Sequence, residues 1–343
     1  MAFHVGVTRD LLDARGGPCF GQRAFEVLKG NGAITWEWLS EELTEITPDV
    51  AARYDGLYVG MPRLSRASLA RADCRLKVHA RHGVGFDNVD LAAATAKGVA
   101  VTNTPVAVRR PVAVATLTLI FALAGRLFRK HELVQKNRWN DRVDFMGQGL
   151  TTRTLGLVGA GGVGQEILKL ARPFFARMIA ADPYADAQRV AALGAEIVPL
   201  DTVMKESDYI VVCCLLNDAT RHLIDAKALA LMQPTAYFLN VGRGPIVDER
   251  ALIETLKAGR IMGAGLDVTY NEPIEPDNPL LGMDNVILTP HALCWTDECF
   301  HEVAATGLQS IVDVSLGKRP VHVVNPEIYE TGKAHRGREG GAR

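Results

Sequence analysis

The chain lacks a charge imbalance: 38 Lys and Arg stand against 39 Asp and Glu, a formal net charge of −1 over 343 residues. With no long basic run, it has no electrostatic footprint for nucleic acid or for an anionic membrane, and neither is expected as a partner. It also lacks an uninterrupted apolar run of about eighteen residues, the length a spanning helix needs. Its start, MAFHVGVTRDLLD, has no basic segment leading into an apolar stretch, as a secretory signal would. These absences read as a soluble, unexported, cytoplasmic protein. None of the six cysteines falls in a CxxC pattern, and Cys213 and Cys214 sit side by side in an apolar run, so all six read as reduced thiols. HELVQ at 131 and HEVAA at 301 begin like zinc-binding helices, but neither has a second histidine four residues on, and no metal site is expected. GxxxxGK[ST] and GxSxG are both missing, which removes support for nucleotide hydrolysis and serine hydrolase chemistry. No internal repeat of roughly 20 to 50 residues is apparent.

What is present is ample core material, 48% hydrophobic against 22% charged residues, and length for about two domains. From residue 154 short apolar runs alternate with segments of helical period: TLGLV, GQEILKLARPFF, RMIAAD, AQRVAALG, EIVPL, VMKES, DYIVVCCL, a helix near 225–232, TAYFLNV, DERALIETLKAG, MGAGLDV and NVILTP. That rhythm predicts an α/β fold with a parallel sheet, and runs without polar alternation imply helices on both faces. Residues 1–104 follow the same logic more loosely, with strands at HVGV, DGLYVG, RLKVHAR and VAVTNT and helices at 21–30 and 87–97. Between the units, Pro111 suits the first turn of a long apolar helix, and Arg109 and Arg110 before it read as a charged helix start at the surface. A last helix, about 297–316, stops at Gly317, and ETGKAHRGREGGAR reads as a polar, mobile tail.

Within this frame LGLVGAGGVGQEI places Gly159, Gly161 and Gly164 in the spacing GxGxxG. With 32 glycines in the chain, chance alone supplies about a quarter of such a match, so the context decides. The context is strand, turn, helix. The first glycine then permits the bend, the second lets backbone approach a pyrophosphate, and the third lets the helix pack on the strand. Eighteen residues beyond Gly164, Asp182 ends the next apolar run. A carboxylate there can accept from both ribose hydroxyls and would repel a 2′-phosphate, which favours NAD over NADP.

Three further stretches at strand ends carry polar residues that packing does not require. Arg243 lies between two glycines in NVGRGPIVDE, Asp267 and Glu272 occupy DVTYNEP, and His291 follows NVILTP in TPHALCW. Taken singly each has a plainer reading: a solvated arginine on a surface turn, an acidic loop, a structural histidine beside a proline. Taken together they offer a fork for a carboxylate and a histidine with a carboxylate partner to fix its tautomer. With a nicotinamide, that set suits hydride transfer to a 2-oxo acid.

These stretches, with HGVGFDNVD at 82–90 and VTNTP at 101–105, resemble the D-isomer-specific 2-hydroxyacid dehydrogenases over about residues 50–326, in the family's order. The resemblance implies a Rossmann NAD-binding domain, residues 105–294, inserted into a flavodoxin-like α/β substrate domain made of 1–104 plus 295–343. It implies Arg243 as the substrate-carboxylate arginine, Glu272 as the carboxylate paired with the histidine, and His291 as general acid/base. Val84 and Gly85 match the loop whose N–H groups hold the substrate carboxylate. Thr104, Gly162, Val163, Asp182, Cys214, Val241 and Asp267 match cofactor-contact positions, and a homodimer is expected. Two positions depart from the pattern: Val114 stands where a glutamate is common, and Leu215 where proline is usual. Arg81 matches an arginine that phosphoglycerate dehydrogenases turn toward the substrate phosphate, although a solvated strand end is the plainer reading. On that match a 3-phosphoglycerate-type acid ranks first, with glyoxylate or hydroxypyruvate reduction next. An alternative of another class is a dinucleotide-sensing corepressor, which shares fold and catalytic residues; the chain shows no evident long disordered extension of the kind such a protein would carry.

Overall fold

The computed structural model describes residues 2–30 and 33–332, and the chain divides into two compact units, Met1–Val108 with Trp295–Arg343, and Arg109–Cys294. From residue 333 onward, the expected tail lies outside the described residues.

The first unit is built on five parallel strands: β1 (Phe3–Val7), β2 (Ile34–Trp38), β3 (Gly56–Val59), β4 (Val78–Arg81) and β5 (Ala100–Thr102). Their order is β2-β1-β3-β4-β5, the flavodoxin-like arrangement. β3 and β4 are buried at every position, because successive side chains feed different cores. Val5, Val7, Tyr58, Val78 and Ala80 pack with Phe300, Leu308 and Ile311 of the helix Asp297–Ser315. Leu57, Val59 and Val101 pack on the other side with Leu39, Leu64 and Leu69. β3 accordingly shows no polar alternation, whereas β4, Val78-His79-Ala80-Arg81, alternates although His79 and Arg81 are themselves buried. β2 pairs only with β1 and does alternate, half-buried Ile34, Trp36 and Trp38 against exposed Thr35 and Glu37; this edge strand lies outside the strands expected from the sequence.

The second unit carries seven parallel strands: β6 (Thr154–Val158), β7 (Arg177–Ala181), β8 (Glu196–Ile197), β9 (Tyr209–Val212), β10 (Tyr237–Asn240), β11 (Gly263–Leu266) and β12 (Val286–Leu288). Their order, β12-β11-β10-β9-β6-β7-β8, reverses between β6 and β9, which is the Rossmann arrangement with a seventh strand, and it makes the end of β6 the switch point where ligands bind. Leu155, Leu157, Tyr209 and Val211 face one core with Ile120, Leu123, Ile167 and Leu168; Val158, Ile210, Val212 and Phe238 face the other with Val203, Met204, Leu252 and Leu256. Each fully buried aliphatic side chain of this kind contributes about 1.5–3 kcal/mol of transfer free energy.

The long helix expected after Pro111 is two helices, Arg109–Ala124 and Leu127–Gln135, bent by 56°. The break falls at Gly125 and Arg126, and Arg126 takes left-handed backbone at φ 49°. Among the described residues no single helix is long and apolar enough to cross a membrane.

Candidate active site

Arg243, Glu272 and His291 lie in the loops that follow β10, β11 and β12, three neighbours in one sheet. Asn240 closes β10, almost fully buried. Its side-chain amide donates to the Arg243 carbonyl at 2.9 Å, and its Oδ1 accepts the Gly242 N–H at 3.0 Å. The turn therefore closes around that amide, and half-buried Arg243 sits in extended backbone, φ −144° and ψ 143°. Sequence reasoning misses Asn240, which reads there as the polar end of a strand.

Asp267 follows β11 and is buried. Its Oδ1 accepts the Thr289 hydroxyl at 2.7 Å and the N–H groups of Ala292 and Leu293 at 3.2 Å each, while its carbonyl accepts the His291 N–H at 2.8 Å. It thus clamps the turn after β12. The clamp matters because His291 has φ +54°, a left-handed conformation that a residue with a β-carbon adopts at a cost. Burial raises the Asp267 carboxyl above its ordinary value against the bonds from Thr289 and Leu293.

So held, His291 places Nδ1 2.8 Å from Glu272 Oε2, and Glu272 Oε1 accepts the Thr269 N–H at 3.3 Å. Burial pushes the Glu272 carboxyl up, but the His291 bond and charge, the Thr269 N–H and the Arg243 guanidinium together hold it below the usual range. An ionised carboxylate can only accept, so Nδ1 carries the proton toward Glu272 and Nε2 is the nitrogen left to exchange one with a ligand.

The glycine loop lies at the switch point. Gly159 has φ +106°, and a β-carbon there would meet the Cys214 backbone nitrogen at 2.7 Å, so both conformation and space exclude a side chain. A β-carbon on Gly164 would run into the Gly159 carbonyl. Gly161 faces open space and opens the helix Gly162–Ala171 without a side-chain cap, whereas Asp186, Asp225 and Asp248 cap other helices of this unit. Val163 begins that helix, partly buried on the core, as does Val241 after β10. The Cys213 thiol donates to the Gly159 carbonyl at 3.1 Å, and burial keeps it protonated by raising it well above the thiol range; Cys214, beside it, is pushed up to about 11, chiefly by burial. Asp182 accepts the Ala160 N–H on Oδ2 at 2.8 Å and the Tyr184 N–H on Oδ1 at 2.9 Å, leaving each oxygen a lone pair for a ribose hydroxyl. Uncapped helix donors, a glycine without steric cover and a carboxylate beside the loop fit a dinucleotide.

The other predicted residues belong to the first unit. After β4, three successive carbonyls are tied back: Gly83 accepts from the Thr104 N–H at 2.9 Å, Val84 from the Asn103 amide at 2.8 Å, and Gly85 from Arg81 Nε at 2.9 Å. Among the described residues no acceptor takes the N–H of Val84 or Gly85, so the turn offers donors. Arg81 is 8% exposed, not a solvated strand end, and braces this turn. Asn103 gives no signal in the sequence that would mark it as a brace. Of the two departures, Val114 and Leu215 are both exposed.

Residues 117–292 match a sequence model described as D-isomer specific 2-hydroxyacid dehydrogenase, NAD binding domain. A glyoxylate reductase of Korarchaeum cryptofilum is 35% identical over 77% of this chain and 80% of its own length. A D-3-phosphoglycerate dehydrogenase of Methanocaldococcus jannaschii is 38% identical over 77% of this chain and 50% of its own. Among solved structures, D-lactate dehydrogenase from Aquifex aeolicus, complexed with NAD and lactic acid, superposes with a TM-score of 0.81 at 25% identity, covering 94% of this chain and 99% of that one. The strand order of the second sheet, the dinucleotide loop at its switch point and these likenesses converge: the chain belongs to the D-isomer-specific 2-hydroxyacid dehydrogenase family, NAD-dependent oxidoreductases acting on the CH–OH group of small 2-hydroxy acids.

Proposed function

We propose that the chain interconverts glyoxylate, or a 2-oxo acid of similar size, and its 2-hydroxy acid, with His291 as general acid/base. The observation that carries this reading is the 2.8 Å bond from His291 Nδ1 to a Glu272 carboxylate held ionised. Bound NADH supplies the hydride. His291 delivers a proton from Nε2 to the substrate's carbonyl oxygen, and Glu272 stabilises the imidazolium before the transfer and keeps the ring oriented after it. Arg243 offers its guanidinium fork to a carboxylate. The N–H groups of Val84 and Gly85 are the backbone donors for a substrate carboxylate. Asp182, with no Lys or Arg directly after it, favours NAD over NADP; Thr104, Cys214, Val241 and Asp267 are assigned to shaping the cofactor site.

Two observations favour the small acid over 3-phosphoglycerate, reversing the ranking the sequence suggests. Arg81, the residue that pointed to a phosphate, is buried and donates to the Gly85 carbonyl. The glyoxylate reductase of K. cryptofilum aligns over most of its length, whereas the M. jannaschii phosphoglycerate dehydrogenase aligns over half. The test is NADH oxidation over glyoxylate, hydroxypyruvate, phosphohydroxypyruvate and pyruvate. The highest kcat/KM is expected with glyoxylate or hydroxypyruvate. A preference for phosphohydroxypyruvate would overturn the substrate, and NADH binding without turnover of any acid would favour a dinucleotide sensor.

A homodimer is part of the proposal. Phe121, Leu127, Phe128, Trp139, Val143 and Met146 are all exposed within one stretch of the second unit, more apolar surface than a lone subunit is expected to leave in water. Sedimentation at micromolar concentration should give twice the chain mass of 37.2 kDa.

A further inference from the structure

The loop Gly159–Gly164 reads Gly-Ala-Gly-Gly-Val-Gly and brings no side chain that can bond a phosphate. Its resources are the uncapped donors of the helix Gly162–Ala171 and a dipole end worth about half a positive charge, against a dinucleotide diphosphate carrying about two negative charges. The basic residue of that helix, Lys169, lies in its last turn. Another element brings a cation to the loop. Arg109 opens the helix Arg109–Ala124 and lays its side chain over Gly162: a β-carbon on Gly162 would stand 2.6 Å from Arg109 Nε, 3.1 Å from Cζ and 3.2 Å from Cδ. Gly162 is thus the space the arginine occupies.

Two adjacent arginines with different fates sharpen the point. Arg110 Nε is paired with Glu166 Oε1 at 3.0 Å, one helical turn beyond Gly162. Arg109 itself is exposed, with no hydrogen-bond or ion-pair partner among the described residues. A cation parked on a phosphate loop without an anion of its own is placed for the ligand's.

We propose that Arg109 is the side-chain cation for the cofactor's diphosphate, and that Gly162 is required because its missing β-carbon seats that guanidinium. This rests on the cofactor being a dinucleotide held at the glycine loop. A planar, permanently charged fork suits two neighbouring phosphoryl oxygens better than an ammonium does.

The test is binding, independent of turnover. NADH and ADP-ribose, which carry the diphosphate, and adenosine, which does not, are titrated against the intact protein by calorimetry. Arg109→Ala should raise the Kd for NADH and ADP-ribose about tenfold, a value in line with loss of a charge-assisted hydrogen bond, and leave adenosine within twofold. Its log Kd should also depend less steeply on salt. Arg109→Lys should recover part of the loss, Gly162→Ala should reproduce much of it by displacing the guanidinium, and Arg110→Ala should change NADH affinity less than twofold. Apo melting temperatures of Arg109→Ala and wild type should agree. If the wild type binds NADH and Arg109→Ala binds ADP-ribose equally well, the proposal is overturned. If the wild type binds neither, it is the dinucleotide reading of the loop that fails.

Discussion

Both sheets present a turn of backbone N–H groups beyond the C-terminal end of a strand, and the two turns are held open by different means. After β4 the turn is braced mostly from outside: the Asn103 and Arg81 side chains and the Thr104 backbone N–H occupy its carbonyls. After β6 the turn is defined by what is missing: Gly159 has room for no side chain, and Gly161 caps its helix with none. The first turn should fail when a side chain is removed, the second when one is added. The side chains proposed to carry the chemistry follow three other strands, β10 to β12.

The largest effect should come from that third region. His291→Ala is expected to lower kcat by about 10²–10⁴-fold, the range for loss of a general acid/base, with the Kd for NADH unchanged; a comparable loss of NADH binding would show that His291 belongs to the cofactor site instead. Next is Gly159→Ala, which forces a β-carbon into left-handed backbone against Cys214. It should cost about 1–3 kcal/mol in strain, read as weaker NADH binding and a lower melting temperature. Unchanged NADH affinity would remove the contrast between the two turns. Smaller still, Arg81→Ala should raise KM about tenfold for glyoxylate and for phosphohydroxypyruvate alike, since it loosens a turn and removes a charge-assisted bond; an increase confined to the phosphorylated acid would restore the phosphate role.

The smallest effect at neutral pH concerns His79, inside β4. It is fully buried, and neither ring nitrogen has a partner among the described residues. Burial, helped by the charge of Arg81, lowers its pKa from 6.5 to about 3. The unfolded chain therefore takes up a proton as pH falls below 6.5 while the folded chain does not until about 3, so stability is fully present above the unfolded value and declines across that window. His79→Leu should stabilise by about 1 kcal/mol at roughly pH 7.5, where an unpaired polar ring is removed, and by more at about pH 5. Parallel urea curves at the two pH values decide it, and a constant difference would mean that His79 does not titrate as inferred.

Much of this is legible in the sequence because it is local. Buried parallel strands announce themselves as unbroken apolar runs, and the glycine spacing with Asp182 requires only a strand and a helix around it. What escapes depends on tertiary position. β2 is missed because Thr35 and Glu37, exposed on one face of this edge strand, interrupt its apolar run. The kink at Gly125–Arg126 interrupts a helical period that reads as continuous. Arg81 looks like any charged strand end until the Gly85 carbonyl turns out to be its partner. Asn240 and Cys213 act on loops folded back over them, and single-chain spacing carries no record of that.

Asp182, the carboxylate proposed for the cofactor's ribose, also holds the Ala160 N–H at 2.8 Å. Anyone redesigning the enzyme for the phosphorylated dinucleotide would begin by deleting that carboxylate, and would in the same stroke unfasten the loop that grips either cofactor. Asp182→Asn is the gentler exchange: it discards the charge that repels a 2′-phosphate and keeps an oxygen for Ala160. Selectivity and affinity are thus coupled through one side chain, and a library varied only at the ribose contact would sort its members by loop rigidity as much as by cofactor.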